Sequence, residues 1–470
     1  MSEARNMTPD AATAPLGLTT QLSEWCAQSR AEDLPHEVLA DTKLRLLDTL
    51  GLILGAADTP IGRAVRTAAL EMGSGSDAFS LGTGDCLPAG LAALIDGTLA
   101  HAADFDDTHD LSVVHPSAAI VPMALALGQA RKLTGLEVLH AIAIGNEINC
   151  RIGSGAPGGF HRHGFHPTSV VGTLAVAITA TVLTGGTAAQ AVHAAGIAGS
   201  QAAGLMEAFA DGTWSKTLHP GWACHAGMAA ASLAKAGFTG PASILEGRFG
   251  LYRSHVQDAD YPFDLDTVTD GLGTRWTMLD CSFKPYPCAH AIHPFVDAAL
   301  AIHGKIEGGT ADVTAIRALV GTTYQPLICE PMDAKRVPLT PTHARASLPY
   351  AVSVALHRGA LGPDDYSEEV IGDRTVLSLA ERFTYATDTV KAPAGFRGVL
   401  EVTMSDGVVH RHVEPVNRGS RTNPMPSSEM IGKFRLGAAR HDRGRQNAII
   451  EAIDHLEDAA SINGLVRACL

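Results

Sequence analysis

The chain has 470 residues, 46% of them hydrophobic and 18% charged, with a formal net charge of -14. That much apolar material excludes a disordered chain and exceeds what one core needs, so two domains are the prior, while the negative balance argues against a nucleic-acid or anionic-membrane partner. The eight cysteines include no Cys-x-x-Cys pair, which excludes zinc knuckles and simple iron-sulfur patterns.

In chain order, residues 1–18 read as a disordered tail. It is polar, lacks the apolar stretch of a signal peptide, and leaves a reducing cytoplasm as the fitting compartment. Residues 35–56 carry Val38, Leu39, Leu46, Leu47, Leu50 and Leu54 at helical recurrence and predict the first core helix. Residues 74–85 are a Gly- and Ser-rich loop whose Gly82-Thr83-Gly84 is too short for a dinucleotide fingerprint. Ala/Leu-rich helices are predicted over 88–103 and 116–132.

Between those two helices, residues 99–117 crowd together Asp104, Asp106, Asp107, Asp110, His101, His109 and His115. Like charges so close raise one another's pKa, and imidazoles beside carboxylates hold their protons to higher pH, which would suit the segment to acid/base chemistry near neutrality. The alternative is a solvated acidic loop whose first Asp caps a helix.

Helices are predicted next over 134–150, 167–183 and 187–206. Residues 164–206 contain no Asp, Glu, Lys or Arg, but Thr, Ser, Gln, Gly and His193 interrupt the stretch, which marks buried helices rather than a membrane span. The loop 151–167 combines glycines with His161, His163 and His166, and a polar cluster over 211–219 precedes a small-residue helix over 222–235. Near residue 280 the texture changes. A strand is predicted over 312–324, a helix over 341–358 and a hairpin over 398–413 about Ser405-Asp406-Gly407, after which helical pattern resumes from 427. The predicted fold is mainly α: a large all-helical domain built from residues 19–279 and 421–470, with a smaller α+β domain over 280–420 inserted between them.

Two metal patterns compete for the polar clusters. Asp106-Asp107-Thr108-His109-Asp110 matches the Asp-Asp-x-x-Asp signature of magnesium-dependent helical terpenoid synthases, which requires carboxylates one turn apart on a helix. Against it stand the 5% aromatic content and the lack of a second acidic motif. His161-x-His163-x-x-His166 has a zinc-like spacing on a loop. Lys216 and Lys284, each isolated in apolar surroundings, suggest an anion clamp; snorkelling surface lysines are the plain alternative.

Taken together, Asp104-Phe-Asp-Asp-Thr108 with His115-Pro-Ser, Gly164-Phe-His-Pro-Thr168, Asp211-Gly-Thr-x-Ser-Lys216-x-Leu-His219, Gly237-Phe-Thr-Gly-Pro241 and Lys284-Pro-Tyr-Pro-Cys288 resemble the MmgE/PrpD family. That family includes 2-methylcitrate dehydratases, cis-aconitate decarboxylases and iminodisuccinate epimerases. The resemblance implies an inserted domain that acts as a lid, a homodimer, and catalysis without metal or organic cofactor. It also implies an active site of Asp104, Thr108, His115, His166, Lys216 and Lys284, with Thr108, Lys216, Lys284 and His219 binding substrate. Two departures matter: one extra residue between Thr108 and His115, and Met332 where the decarboxylases carry a tyrosine. The second favours dehydration or epimerisation over decarboxylation.

The expected function is therefore a lyase acting on a small polycarboxylate, foremost dehydration of a 2-methylcitrate-type hydroxy acid through an enediolate. His115 and His166 form the expected acid/base pair, Asp104 orients and charges a histidine, and the two lysines bind carboxylates. Epimerisation and decarboxylation are the alternatives within the family. A magnesium-dependent terpenoid synthase-like enzyme and a non-catalytic helical scaffold are the alternatives outside it.

Overall fold

The computed structural model describes residues 16–306, 309–390 and 395–470; most of the expected disordered tail lies outside them. The molecule is mainly helical and holds two separate large apolar cores. The first is built by α1 (His36–Ala56), α2 (Ala89–His101), α3 (Pro116–Arg131), α4 (Gly135–Ser154), α5 (Pro167–Leu183), α6 (Ala188–Gly199) and α7 (Ser215–Lys235). Its Ala- and Gly-rich helices are buried nearly all round, as their lack of an apolar stripe requires. Small residues let them approach closely: a Cβ on Gly97 of α2 would sit 2.8 Å from the Cα of Gly221 on α7.

The two-residue strands β1 (Thr108–His109) and β2 (Cys281–Ser282) pair antiparallel and join the cores. The second core holds α8 (His293–His303), β3 (Val313–Gly321), α9 (Pro341–Arg345), α10 (Leu348–Arg358), β4 (Phe383–Asp388), β5 (Gly398–Met404) and β6 (Val409–Glu414), with the sheet in the order β4-β3-β5-β6. β3 runs parallel to β4 and antiparallel to β5, and the β5–β6 hairpin turns through Gly407 at φ +87. After it, α11 (Ser427–Gly437) and α12 (Arg443–Asp454) return to the first core through Phe434, Ile449 and Ile453.

Several boundaries differ from expectation. The helix over 341–358 is broken, because Pro349 cannot donate to the carbonyl of Arg345; Ser347 caps the second piece by accepting from the Tyr350 N–H. The helix over 187–206 stops at Gly199, with Gly204 beyond it at φ +138. α7 begins seven residues before Trp222 and runs through Pro220, held by its packing against α2 and α5. β4 was not legible in the sequence at all. No helix among the described residues is long and apolar enough to cross a membrane.

Candidate active site

His115 and His166 occupy the same local structure. Each is the N-cap residue of a helix that starts with proline, α3 at Pro116 and α5 at Pro167. Proline fixes the helical φ at the first position and keeps the preceding residue extended, so His-Pro-Ser and His-Pro-Thr each project an imidazole at a helix N-terminus. The positive end of a helix disfavours a protonated ring there. Both rings are buried, and their pKa values lie well below the ordinary histidine range: burial is the main cause at each, opposed by Asp106 at His115 and reinforced by Lys216 at His166.

Asp104 lies in the connection from α2 to β1 with φ 51, a left-handed conformation that aspartate tolerates. Its carboxylate meets both predicted lysines. Lys284 Nζ donates to Oδ1 at 2.6 Å and to the Asp104 carbonyl at 3.0 Å, and Lys216 Nζ lies 3.5 Å from the same Oδ1. Burial alone would raise the Asp104 pKa, but Lys216 and Lys284 outweigh it and hold the carboxyl well below its usual range. The nearest partners of Asp104 are thus ammonium groups, not the imidazole it was expected to orient.

That orienting role falls to Asp106. Its Oδ2 accepts from His101 Nδ1 at 2.8 Å, and His101 Nε2 faces Lys216 Nζ at 2.9 Å, which sets the tautomer: Nδ1 donates to the carboxylate and Nε2 accepts from the ammonium. The Gly97–Gly221 contact makes this chain of three possible by bringing α2 and the start of α7 together. Burial lowers the Lys216 pKa, opposed by Asp104 and reinforced by Lys284.

His115 Nδ1 donates to the Asp107 carbonyl at 2.7 Å, with Thr108 Oγ1 at 3.2 Å, which leaves its Nε2 lone pair uncommitted. The added residue between Thr108 and His115 falls in a turn closed by His109 N–H to Val114 O at 2.9 Å, with Leu111 exposed at its tip. His166 Nδ1 lies 3.0 Å from His219 Nδ1, one turn along α7 from Lys216, and burial pushes the His219 pKa down to about 3. The His101 and His166 rings stack at 5.4 Å between centroids, with His115 and His101 at 4.9 Å.

Residues His115, His166, Asp104, Lys216, Lys284, Thr108 and His219 are thus one buried cluster. The expected electrostatics is reversed at Asp104 and at the imidazoles, whereas Asp110 is pushed up to about 7, by burial first and with Asp280 adding to it. Paired lysines lower the Asp104 pKa, and burial leaves the imidazoles neutral rather than protonated.

The Asp-Asp-x-x-Asp pattern does not form one metal face. Its residues lie in a loop, β1 and a turn, with Asp106 on His101, Asp107 on Arg45 at 2.6 Å and on Ser117, and Asp110 on Ser282. The magnesium alternative loses its motif because these carboxylates diverge. His161, His163 and His166 form no ligand group either, since His163 is exposed and His166 faces His219. Among the described residues, His101, Asp106 and His115 are the group whose ligand atoms lie within 4.8 Å of one another. They are already hydrogen-bonded, and two ammonium groups beside them oppose a cation.

A family model for the MmgE/PrpD N-terminal domain matches residues 20–264, and one for the C-terminal domain matches residues 286–458. The chain belongs to the MmgE/PrpD family. Within it, the chain is 27% identical over 459 residues to a cis-aconitate decarboxylase of Mus musculus, covering 93% of this chain and 90% of that protein. It is 27% identical over 443 residues to the Homo sapiens protein of the same name, covering 90% and 89%. Similarity to the cis-aconitate decarboxylase-like protein oryM of Aspergillus oryzae is 23% over 477 residues, 98% of each chain. These MmgE/PrpD relatives are lyases by name, which fits a lyase-type activity broadly.

Sequence reasoning missed the supporting half of this MmgE/PrpD site. His101 and Asp106 stood in the dense stretch and were passed over as Asp104's neighbours. Arg45 and Lys433 carried no local signal. Arg45 spans Asp107, the Met278 carbonyl and the Cys281 carbonyl, and Lys433 of α11 reaches Asp48 and the Phe105 carbonyl.

Proposed function

We propose that this chain is a lyase that forms a carbanion next to a carboxylate of a small polycarboxylate, and that dehydration of a 2-methylcitrate-type hydroxy acid is its reaction. The observation that carries this is the state of His115: a neutral ring whose Nδ1–H is committed to a backbone carbonyl, leaving Nε2 as a base. Proton abstraction needs such a base, whereas decarboxylation needs only a proton donor.

His115 Nε2 takes the proton from the carbon bearing a carboxylate, and the electron pair moves into that carboxylate as an enediolate. Lys216 and Lys284 meet the developing charge in a water-poor setting, where ammonium groups act strongly. The pair then returns to form the double bond and expels the hydroxyl from the adjacent carbon. Lys216, with its lowered pKa, is the acid that protonates it, so that water leaves. His166, the other member of the expected acid/base pair, is held neutral and serves as a hydrogen-bond donor to the departing oxygen. Asp106 and His101 hold Lys216 in place, and water resets both protonation states after product release.

Decarboxylation of a cis-aconitate-type substrate is the second reading, favoured by the names of the relatives. It forms a carbanion of the same kind, stabilised by a remaining carboxylate, by breaking the bond to the carboxylate lost as carbon dioxide, with Lys216 then supplying a proton to carbon. Proton NMR in D2O with 2-methylcitrate-type hydroxy acids, cis-aconitate and iminodisuccinate separates these outcomes. An alkene formed with loss of the hydroxyl is expected. A product one carboxyl shorter transfers the site to decarboxylation, an inverted centre carrying deuterium transfers it to epimerisation, and no turnover of any compound overturns the lyase.

A further inference from the structure

In the segments that follow Lys284, four buried polar atoms lack a hydrogen-bond partner among the described residues: Arg345 Nε, the Tyr366 hydroxyl, and Nδ1 of His290 and of His293. Arg345 ends α9, and its carbonyl accepts from the Ala289 N–H, which ties it to the segment that follows Lys284. Its guanidinium makes no hydrogen bond or ion pair with any described residue, and its Nε is fully buried. Its Cζ stands over the Tyr366 ring, 5.4 Å from the centroid. A ring face attracts the charge but leaves the N–H donors unsatisfied. Tyr366, beside the Cys288 thiol, has a buried hydroxyl without a well-formed hydrogen bond, and Nδ1 of both His290 and His293 is buried and unpaired.

Buried donors are normally satisfied, and a guanidinium most of all, because it cannot shed its charge. The same guanidinium lies within the field of Asp104, the residue that already holds Lys216 and Lys284. Three cations against Asp104 and Asp106, among neutral imidazoles, leave the site positive. We propose that Arg345, assisted by the Tyr366 hydroxyl, is a third carboxylate-binding position, and that it selects substrates with one carboxylate more than the two lysines engage. The proposal rests on the polycarboxylate reading above and adds what that reading lacks: the residue that counts carboxylates. A planar fork against a planar carboxylate forms two parallel charge-assisted bonds, which a lysine at the same place cannot reproduce.

The test uses equilibrium binding of two compounds that undergo no elimination, propane-1,2,3-tricarboxylate and glutarate, measured by calorimetry on the full chain. Wild type is expected to bind the tricarboxylate about 10- to 100-fold more tightly, the range of one charge-assisted contact. Arg345→Gln should remove that preference while leaving glutarate affinity unchanged. If Arg345→Gln fails to fold, Arg345→Lys, which keeps the charge, and Tyr366→Phe, which keeps the ring, carry the test. Each should lose part of the tricarboxylate preference and none of the glutarate affinity. Equal weakening of both ligands, or an unchanged preference in every folded variant, overturns the subsite, as does wild-type binding of neither compound. Tight, Arg345-dependent binding in a protein that turns over none of the substrates above would sink the lyase reading and leave the subsite standing.

Discussion

His115 is the residue on which the chemistry turns. His115→Gln keeps size and polarity but cannot take a proton, so turnover should fall about 100- to 10,000-fold with little change in melting temperature. A variant that loses turnover only in proportion to its loss of folded protein would reduce His115 to a helix cap. Asp104→Asn acts through the lysines. Asp104 raises the Lys216 pKa against burial and the Lys284 charge, so removing it lowers that pKa further. The alkaline limb of the turnover profile should then move toward acid, because Lys216 loses its proton at a lower pH. An unchanged limb with normal turnover would show that Lys216 is not the acid.

Among the elements, the loop between α2 and β1 owes its shape to groups far away in the chain. Lys433 of α11 bonds Asp48 of α1 at 2.8 Å and the Phe105 carbonyl at 2.7 Å, all of them buried. Burial holds the Asp48 pKa up at about 6 even with Lys433 opposing it. A raised aspartate binds protons in the folded state that the unfolded chain releases near pH 4. Its contribution to stability therefore falls as pH rises through that window to about 6. Lys433→Met strands Asp48 and extends the window upward. The expected cost is about 3–5 kcal/mol at pH 8 and much less at pH 5, read by denaturant unfolding at both values. Adding Asp48→Asn should recover most of the loss; equal losses at both pH values would show that only packing was removed.

At the scale of the whole molecule, the site lies at the edge of the first core: His101, Asp104, His115, His166 and Lys216 come from its helices and their connections, and Lys284 from the segment between β2 and the second core, which begins at Tyr286. Cys86 is the one cysteine that is not buried, and burial pushes the Cys26, Cys288 and Cys329 thiols up to about 12. Alkylation under native conditions should therefore leave turnover intact. Exhaustive chelation should do so as well, because the His101–Asp106–His115 group is committed to hydrogen bonds beside two ammonium groups. Turnover abolished by EDTA and restored by magnesium or zinc would place a cation there after all.

The sequence by itself determined what depends on local rules. His-Pro-Ser and His-Pro-Thr specify two helix starts with an imidazole at each, the Ser405-Asp406-Gly407 turn specifies the hairpin, and the Ala/Leu periodicity specifies buried helices. The motifs around Asp104, Lys216 and Lys284 identified the family, and with it the set of residues to look for. Tertiary structure decided the rest. Whether carboxylates raise a histidine's pKa or burial lowers it depends on how much water remains and which cations arrive, and Lys216 and Lys284 arrive from distant positions. Asp106 rather than Asp104 became the histidine's partner because a left-handed turn at Asp104 sends its carboxylate to the lysines. Arg45 and Lys433 were invisible for the same reason: a buried cation declares itself only through the groups it meets, and those groups lie far away along the chain.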